Sequence, residues 1–242
     1  FIIAVNTQIP IYGFICAALA GALLSVLFAI LTQYLMSNQV ATGLGLTMVG
    51  LGLSALIGKP YEGIKSPTLT KLDIPILSEI PILGPMIFSH DIIVYFSILV
   101  VATVAFVIKK TRIGLILRAV GENQEAAHAL GYKVIRIRFL AIMFGGAAAG
   151  MGGAYISLAR VPQWTEGMTA GAGWIALALV VFASWKPWRV LVGAYLFGGI
   201  TVLQLNLQAI GVAIPVEILS MSPYLVTIVV LVGISLFGHH TA

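Results

Sequence analysis

Charge is what this sequence has least of. Of its 242 residues, 60% are hydrophobic and only 9% are charged, where soluble domains carry roughly a quarter. A soluble chain of this size has no interior large enough for so much apolar surface, so the expected solvent is lipid. The mean hydropathy of +1.07 agrees. Cysteine is nearly absent. Cys16 stands alone within an apolar run, which excludes an intrachain disulfide and a cysteine-based metal site and reads as a small buried core residue. The chain opens on Phe1 with no charged segment ahead of its first apolar run, so no signal peptide is visible.

Catalytic and redox motifs are missing as well. No Gly-x-x-x-x-Gly-Lys-Ser/Thr phosphate loop occurs. His90, His128, His239 and His240 show no metal-ligand spacing, so no metal is expected. The serines have no histidine partner at membrane depth, which argues against an intramembrane protease. None of the eight acids falls in the middle of an apolar run, and Asp91 and Glu217 lie at the edges of such runs. Proton-driven carriers usually keep ionisable groups inside the membrane. Sodium sites can be built from carbonyls and hydroxyls, so a secondary transporter or channel for a small polar solute stays open as an alternative. No filter-like sequence supports the channel form. The net charge of +5 is assigned to basic residues held on the cytoplasmic side of a membrane rather than to nucleic acid.

What is present is a series of apolar runs without period-two alternation, which predicts helices rather than a barrel. About 20 apolar residues span the hydrocarbon. Six or seven candidates meet that need: Ile11 to Leu31, Val40 to Ile57, Ile92 to Ile108, Phe139 to Leu158, Trp174 to Ser184, Val190 to Leu207 and Pro223 to Phe237. The fifth is short. The second is rich in glycine (Gly43, Gly45, Gly50, Gly52), and its irregular backbone is expected to line a cavity. The fourth carries a Gly146/Gly150 pair extended by Gly152 and Gly153, a close-packing seam between helices. The expected fold is an all-α polytopic membrane protein forming a single transmembrane domain over residues 1–242.

Five of the ten prolines fall between Gly58 and His90, so this segment breaks helices and is expected outside the hydrocarbon. Its IPIL repeats at Ile74–Leu77 and Ile80–Leu83 are expected to lie flat on the membrane or the protein rim. Lys109 to Arg138 holds seven of the thirteen Lys and Arg, and Lys186 and Arg189 add two more. Placing both groups in the cytoplasm threads the spans consistently. The Pro-rich segment (58–90), Arg160 to Thr169 and Gly211 to Met221 then lie outside. The chain would also start outside, which suggests a further N-terminal helix that this sequence does not include.

Between the third and fourth spans lies a polar island, RAVGENQEAAHALGYKVIRIRF, residues 118–138 and Phe139. Glu122 and Glu125 suit a helix start, Ala126, Ala127, Ala129 and Leu130 favour helix, and Gly131 is a natural stop. A connector lying on lipid headgroups is one reading. Such a helix would need large apolar residues and many cations, whereas this one has alanines and two acids. Composition favours docking its Ala126/Ala127/Leu130 face into a groove on a partner. For solute contact, Gln204 and Gln208 share one face of the sixth span, with Asn206 pointing elsewhere. Asn38 and Gln39 precede the glycine-rich span, and Trp174 offers a ring for stacking. Interhelical hydrogen bonding or interfacial anchoring explains these side chains equally well.

The stretch GLILRAVGENQEAAHALGYKVIRIRFLAIMFGGAAAGMGGAYISL closely resembles the permease subunits of bacterial ABC importers in the branched-chain amino acid, ribose and nucleoside group. WTEGMTAGAGWIALALVVFASWKPWRVLVGAYLFGG, SNQVATGLGLTMVGLGLSALIGKPY and MSPYLVTIVVLV are similar to its nucleoside and simple-sugar branch. The ordered series, from about Gly21 to Ile234, is more specific than any one piece. The resemblance implies a multi-pass protein of the bacterial inner membrane and a pathway formed with a second permease subunit, homologous or identical. It also implies a cytoplasmic ABC ATPase holding ATP and Mg, with no cofactor in this chain, and an extracytoplasmic solute-binding protein delivering nucleosides or simple sugars to the outer rim, including Trp164 to Met168. On it, Gly121, Glu122, Asn123, Glu125, Ala126, Ala127, Leu130 and Gly131 form the ATPase-coupling surface. Gly121 and Gly131 would let the chain turn at its ends. Arg118 and Arg136 would anchor it to headgroups or to the ATPase. Such permeases usually have a longer N-terminal portion than this chain.

Overall fold

Pro10 opens the first long helix for a simple reason: its missing N–H is one that no helix start can bond, and its fixed φ suits the first turn. Ile9 before it is extended. The computed structural model describes residues 1–67, 69, 90–169, 171–184 and 186–211, together with Met221, Leu225, Ile228, Val229 and Val232. Both IPIL stretches, most of the Gly211–Met221 segment and all but Leu225, Ile228, Val229 and Val232 of the span expected over Pro223–Phe237 lie outside the described residues.

In chain order the helices are α1 (Ile2–Thr7), α2 (Pro10–Ala29), α3 (Gln39–Gly58), α4 (Ile92–Lys110), α5 (Arg112–Glu122), α6 (Gln124–Ala129), α7 (Val134–Tyr155), α8 (Ala172–Phe182) and α9 (Pro187–Ala209). α2 and α7 each run on through a π-helical turn, Ile30–Tyr34 and Ile156–Arg160, and α3 ends in a 3₁₀ turn, Lys59–Tyr61. Five of these stretches are long and apolar enough to cross a membrane: Pro10–Tyr34, Gln39–Tyr61, Ile92–Lys110, Val134–Arg160 and Pro187–Ala209. α8 has 11 residues, about 16 Å of helix, too short to cross alone. Among the described residues there is no β-sheet, only two isolated bridges, Glu62 with Trp164 and Lys65 with Gln163.

The chain divides into two compact units, Phe1–Ser97 with Ile108–Ala170, and Ile98–Val107 with Gly171–Ala242. The spine of the first unit is the pair α2 and α7. Ala17, Gly21 and Ser25 of α2 recur every four residues and meet Gly146 and Gly150 of α7. The residue order runs in opposite directions along the seam, with Gly13 beside Leu158 and Ser25 beside Gly146, so the helices are antiparallel, as the threading requires. A Cβ on Gly21 would strike the Gly146 carbonyl, and one on Gly150 would strike the Ala17 carbonyl. Without water to drive helices together, such close backbone approach supplies the van der Waals attraction. Gly152 and Gly153 do not extend this seam: nothing lies within 4 Å of where their side chains would be. They follow Gly150 by two and three residues, which turns them about 200° and 300° around the helix.

One end of the spine is closed by an apolar cluster. Ala4, Phe14, Ala154 and Leu158 are buried there, with Ile93 against them. Here the loop after α7 meets the end of α3. The Ser66 amide donates to the Pro162 carbonyl at 2.9 Å, and the Trp164 indole, 8% exposed, lies over Gly58, where any side chain would collide with the ring. Asn6 donates to the Tyr61 hydroxyl, and Asp91 bonds the Tyr155 hydroxyl. These are residues the charge rule places outside. α3 itself is an uninterrupted helix of 20 residues; its glycines do not make its backbone irregular, contrary to the sequence-based expectation. In the second unit, Gly193 of α9 packs against Leu179 and Phe182 of α8.

Candidate functional site

The polar island occupies the opposite end of the first unit, built in three steps. Thr111 breaks the chain between α4 and α5 with extended dihedrals, and its hydroxyl accepts from the Gly114 amide at 3.2 Å. α5 then carries apolar residues on one side and ends at Glu122. Asn123, extended again at φ −146° and ψ 101°, caps α6: its side-chain oxygen accepts from the Ala126 amide at 3.0 Å. Such a cap is worth about 1 kcal/mol.

The end of α6 closes with equal definition. The Gly131 amide donates to the His128 carbonyl at 2.9 Å, and the Tyr132 amide donates to the Ala127 carbonyl at 3.1 Å. This crossed pair with a left-handed residue between is the Schellman arrangement. Gly131 supplies it with φ +87°, a conformation that strains any residue bearing a Cβ. Gly131 therefore turns the chain as expected. Gly121 does not: it sits within the last turn of α5, and the other bend falls on Asn123. The reason is local, because Asn123 can bond its own following amides and so competes with helix continuation. Glu122 accordingly closes α5, and the helix predicted as one piece from GENQEAAHALG is two.

The six-residue α6 is too short to be stable alone. It is held by a small apolar hub of Val120, Ala127 and Val134, all buried, with Ile116 and Ile137 against them. Ala127 thus faces its own chain rather than outward. The outward face consists of Glu122, Asn123, Glu125, Ala126 and Leu130, all exposed. Leu130 is 75% exposed. Arg118 and Arg136 are exposed as well. The hub was missed from sequence, although Val120, Ala127 and Val134 recur at seven-residue spacing.

The residues considered for solute contact fall in both units. Asn38 is the cap of α3, its side-chain oxygen accepting from the Val40 and Ala41 amides at 2.9 and 3.1 Å. Gln39 follows it at the exposed first position. Both belong to the first unit, at the end of α3 away from Trp164. Trp174, Gln204 and Gln208 belong to the second unit. Gln204 and Gln208 are half-buried on one face of α9 while Asn206 is exposed, as their spacing predicts. Trp174 is 66% exposed near the start of α8. Among the described residues no group of His, Cys, Asp and Glu is placed to hold a metal.

Comparison with known proteins supplies the remaining observations. The profile of a family described as the permease component of the branched-chain amino acid transport system matches residues 1–234. A Haloferax volcanii protein, provisionally named a glucose ABC transporter permease protein, is 38% identical over 241 residues, covering 90% of this chain and 73% of the relative. A nucleoside ABC transporter permease protein of Lactococcus lactis is 33% identical over 233 residues, covering 93% of this chain and 74% of the relative. A guanosine ABC transporter permease protein of Bacillus subtilis is 33% identical over 235 residues, covering 93% and 73%. No solved structure matches.

Proposed function

The chain belongs to the family of branched-chain amino acid transport system permease components, and from that premise we propose that it carries nucleosides or simple sugars inward, driven by a separate ABC ATPase that grips α6. The family makes it a multi-pass membrane transport subunit rather than an enzyme, with ATP hydrolysis on another polypeptide. The names of the relatives support the solute class: glucose, nucleoside and guanosine. A path without buried acids suits an uncharged polar solute. Gln204 and Gln208 on α9 are the side chains we assign to that path. Asn38 is assigned to capping α3, because its oxygen is already bonded.

The observation that carries the coupling role is the mounting of α6. Glu125, Ala126 and Leu130 point outward, while Ala127 locks the same turn to Val134, the first residue of α7. α7 in turn is keyed to α2 through the glycine seam. A force applied to α6 therefore reaches two spans through packed contacts rather than through a slack loop. ATP and Mg belong to the ATPase. A second permease subunit, homologous or identical, completes the pathway, and an extracytoplasmic solute-binding protein delivers solute to the outer rim. A lone secondary transporter or channel is not favoured, since the relatives are named as ABC permeases.

The test is uptake of labelled guanosine and glucose into vesicles holding the chain with its ATPase, second permease and binding protein. ATP-dependent uptake of either solute, lost when the ATPase is left out, is the expected result. Equal uptake without the ATPase overturns the reading.

A further inference from the structure

α4, a candidate membrane span, ends at Lys109 and Lys110, and only Thr111 separates it from α5. Thr111 is extended and caps α5, so the first turn of α5 starts within one residue of the end of that span. On this turn Ile113 and Leu115 are 64% and 62% exposed, although Val120 and Ile116 of the same helix face the apolar hub. Lys109, Lys110, Arg112 and Arg118 are exposed around them. Between Lys109 and Arg138 seven cations stand against two acids, Glu122 and Glu125, and both acids lie beyond the first two turns of α5.

We propose that the end of α4 and the first turns of α5 form a binding surface for anionic phospholipid headgroups. Lys109, Lys110 and Arg112 contact phosphates while Ile113 and Leu115 enter the acyl boundary. The two kinds of attraction needed for firm interfacial attachment, apolar insertion and a basic cluster, coincide within seven residues. The charge sign selects the occupant: a zwitterionic surface would leave the cations without counter-charge, and an acidic leaflet supplies it. Such attachment fixes the height of α5, and through the hub the height of α6, before any partner arrives. It does not depend on the coupling role of α6, because the residues differ.

The experiment uses the full chain in vesicles of phosphatidylcholine alone or mixed with phosphatidylglycerol. An environment-sensitive fluorophore is attached at Ile113→Cys in a Cys16→Ala background. The inference predicts a blue-shifted probe, shielded from aqueous iodide, in phosphatidylglycerol vesicles without ATPase, and less shielding in pure phosphatidylcholine. Equal shielding in both vesicles, none in either, or shielding that appears only when the ATPase is added overturns it; the last outcome would make this surface a protein interface. An independent arm needs no cysteine. In lipid-exchange mass spectrometry, Lys109→Gln/Lys110→Gln/Arg112→Gln should lower the retained phosphatidylglycerol-to-phosphatidylcholine ratio by at least about tenfold, with the ATPase still co-purifying. An unchanged ratio overturns the inference.

Discussion

Gly146 of α7 lies against Ser25 of α2 so closely that a Cβ on the glycine would overlap the serine hydroxyl. That hydroxyl is turned onto its own helix, donating to the Gly21 carbonyl at 2.6 Å. The serine therefore acts at this contact as a small residue and adds no polar group that the seam must satisfy. Gly146→Ala should separate the helices and cost about 1–3 kcal/mol, read as a lower midpoint of unfolding in detergent. Gly152→Ala and Gly153→Ala, in open space on the same helix, should be neutral or gain up to about 1 kcal/mol from helix propensity.

The outer clasp makes a second test. Trp164 covers Gly58, so Gly58→Ala must displace the ring. The expected result is a red-shifted component in tryptophan emission and a loss of about 1–3 kcal/mol. Gly63→Ala nearby meets no neighbour but carries φ +79°; it should cost about 1 kcal/mol with the emission unchanged.

At the polar end, Asn123→Ala removes the cap of α6 and should cost about 1 kcal/mol. Asn123→Asp keeps an oxygen acceptor and should retain stability. Solute moved per ATP hydrolysed should fall in the alanine variant and stay near wild type in the aspartate one. Equal coupling in both would separate the cap from transport.

Gly131→Ala should strain the Schellman closure by about 1–2 kcal/mol. Its signature is faster amide exchange at Tyr132, whose bond to Ala127 depends on the left-handed turn. Exchange along α2 should not change.

The spans were legible because hydrocarbon imposes one period and one length. Ile92 to Ile108 matches α4 almost to its ends, and Phe139 to Leu158 falls short of Val134–Arg160 by Ala159 and Arg160 at one end and by Val134–Arg138, a first turn whose arginines look like loop, at the other. What sequence did not reveal depends on contacts between distant residues. Ala17, Gly21 and Ser25 are unremarkable in an apolar run until Gly146 and Gly150 are seen opposite them. Trp164 read as a rim residue, because nothing local says that it covers Gly58. The island reads as one helix in sequence, since propensity favours continuation through Asn123, and the cap geometry decides otherwise. Ala127, expected on the docking face, is buried against Val120 and Val134 instead.

The most direct measurement of the coupling account is ATP-dependent uptake and ATP hydrolysis, taken together, for Glu125→Gln and Leu130→Asp in the reconstituted complex. Neither residue supports the hub, so the chain should fold and insert as wild type while uptake falls at least about tenfold, with weaker retention of the ATPase. Wild-type uptake per ATP in both variants, with the ATPase bound as before, would contradict the assignment of α6 as the surface the ATPase grips.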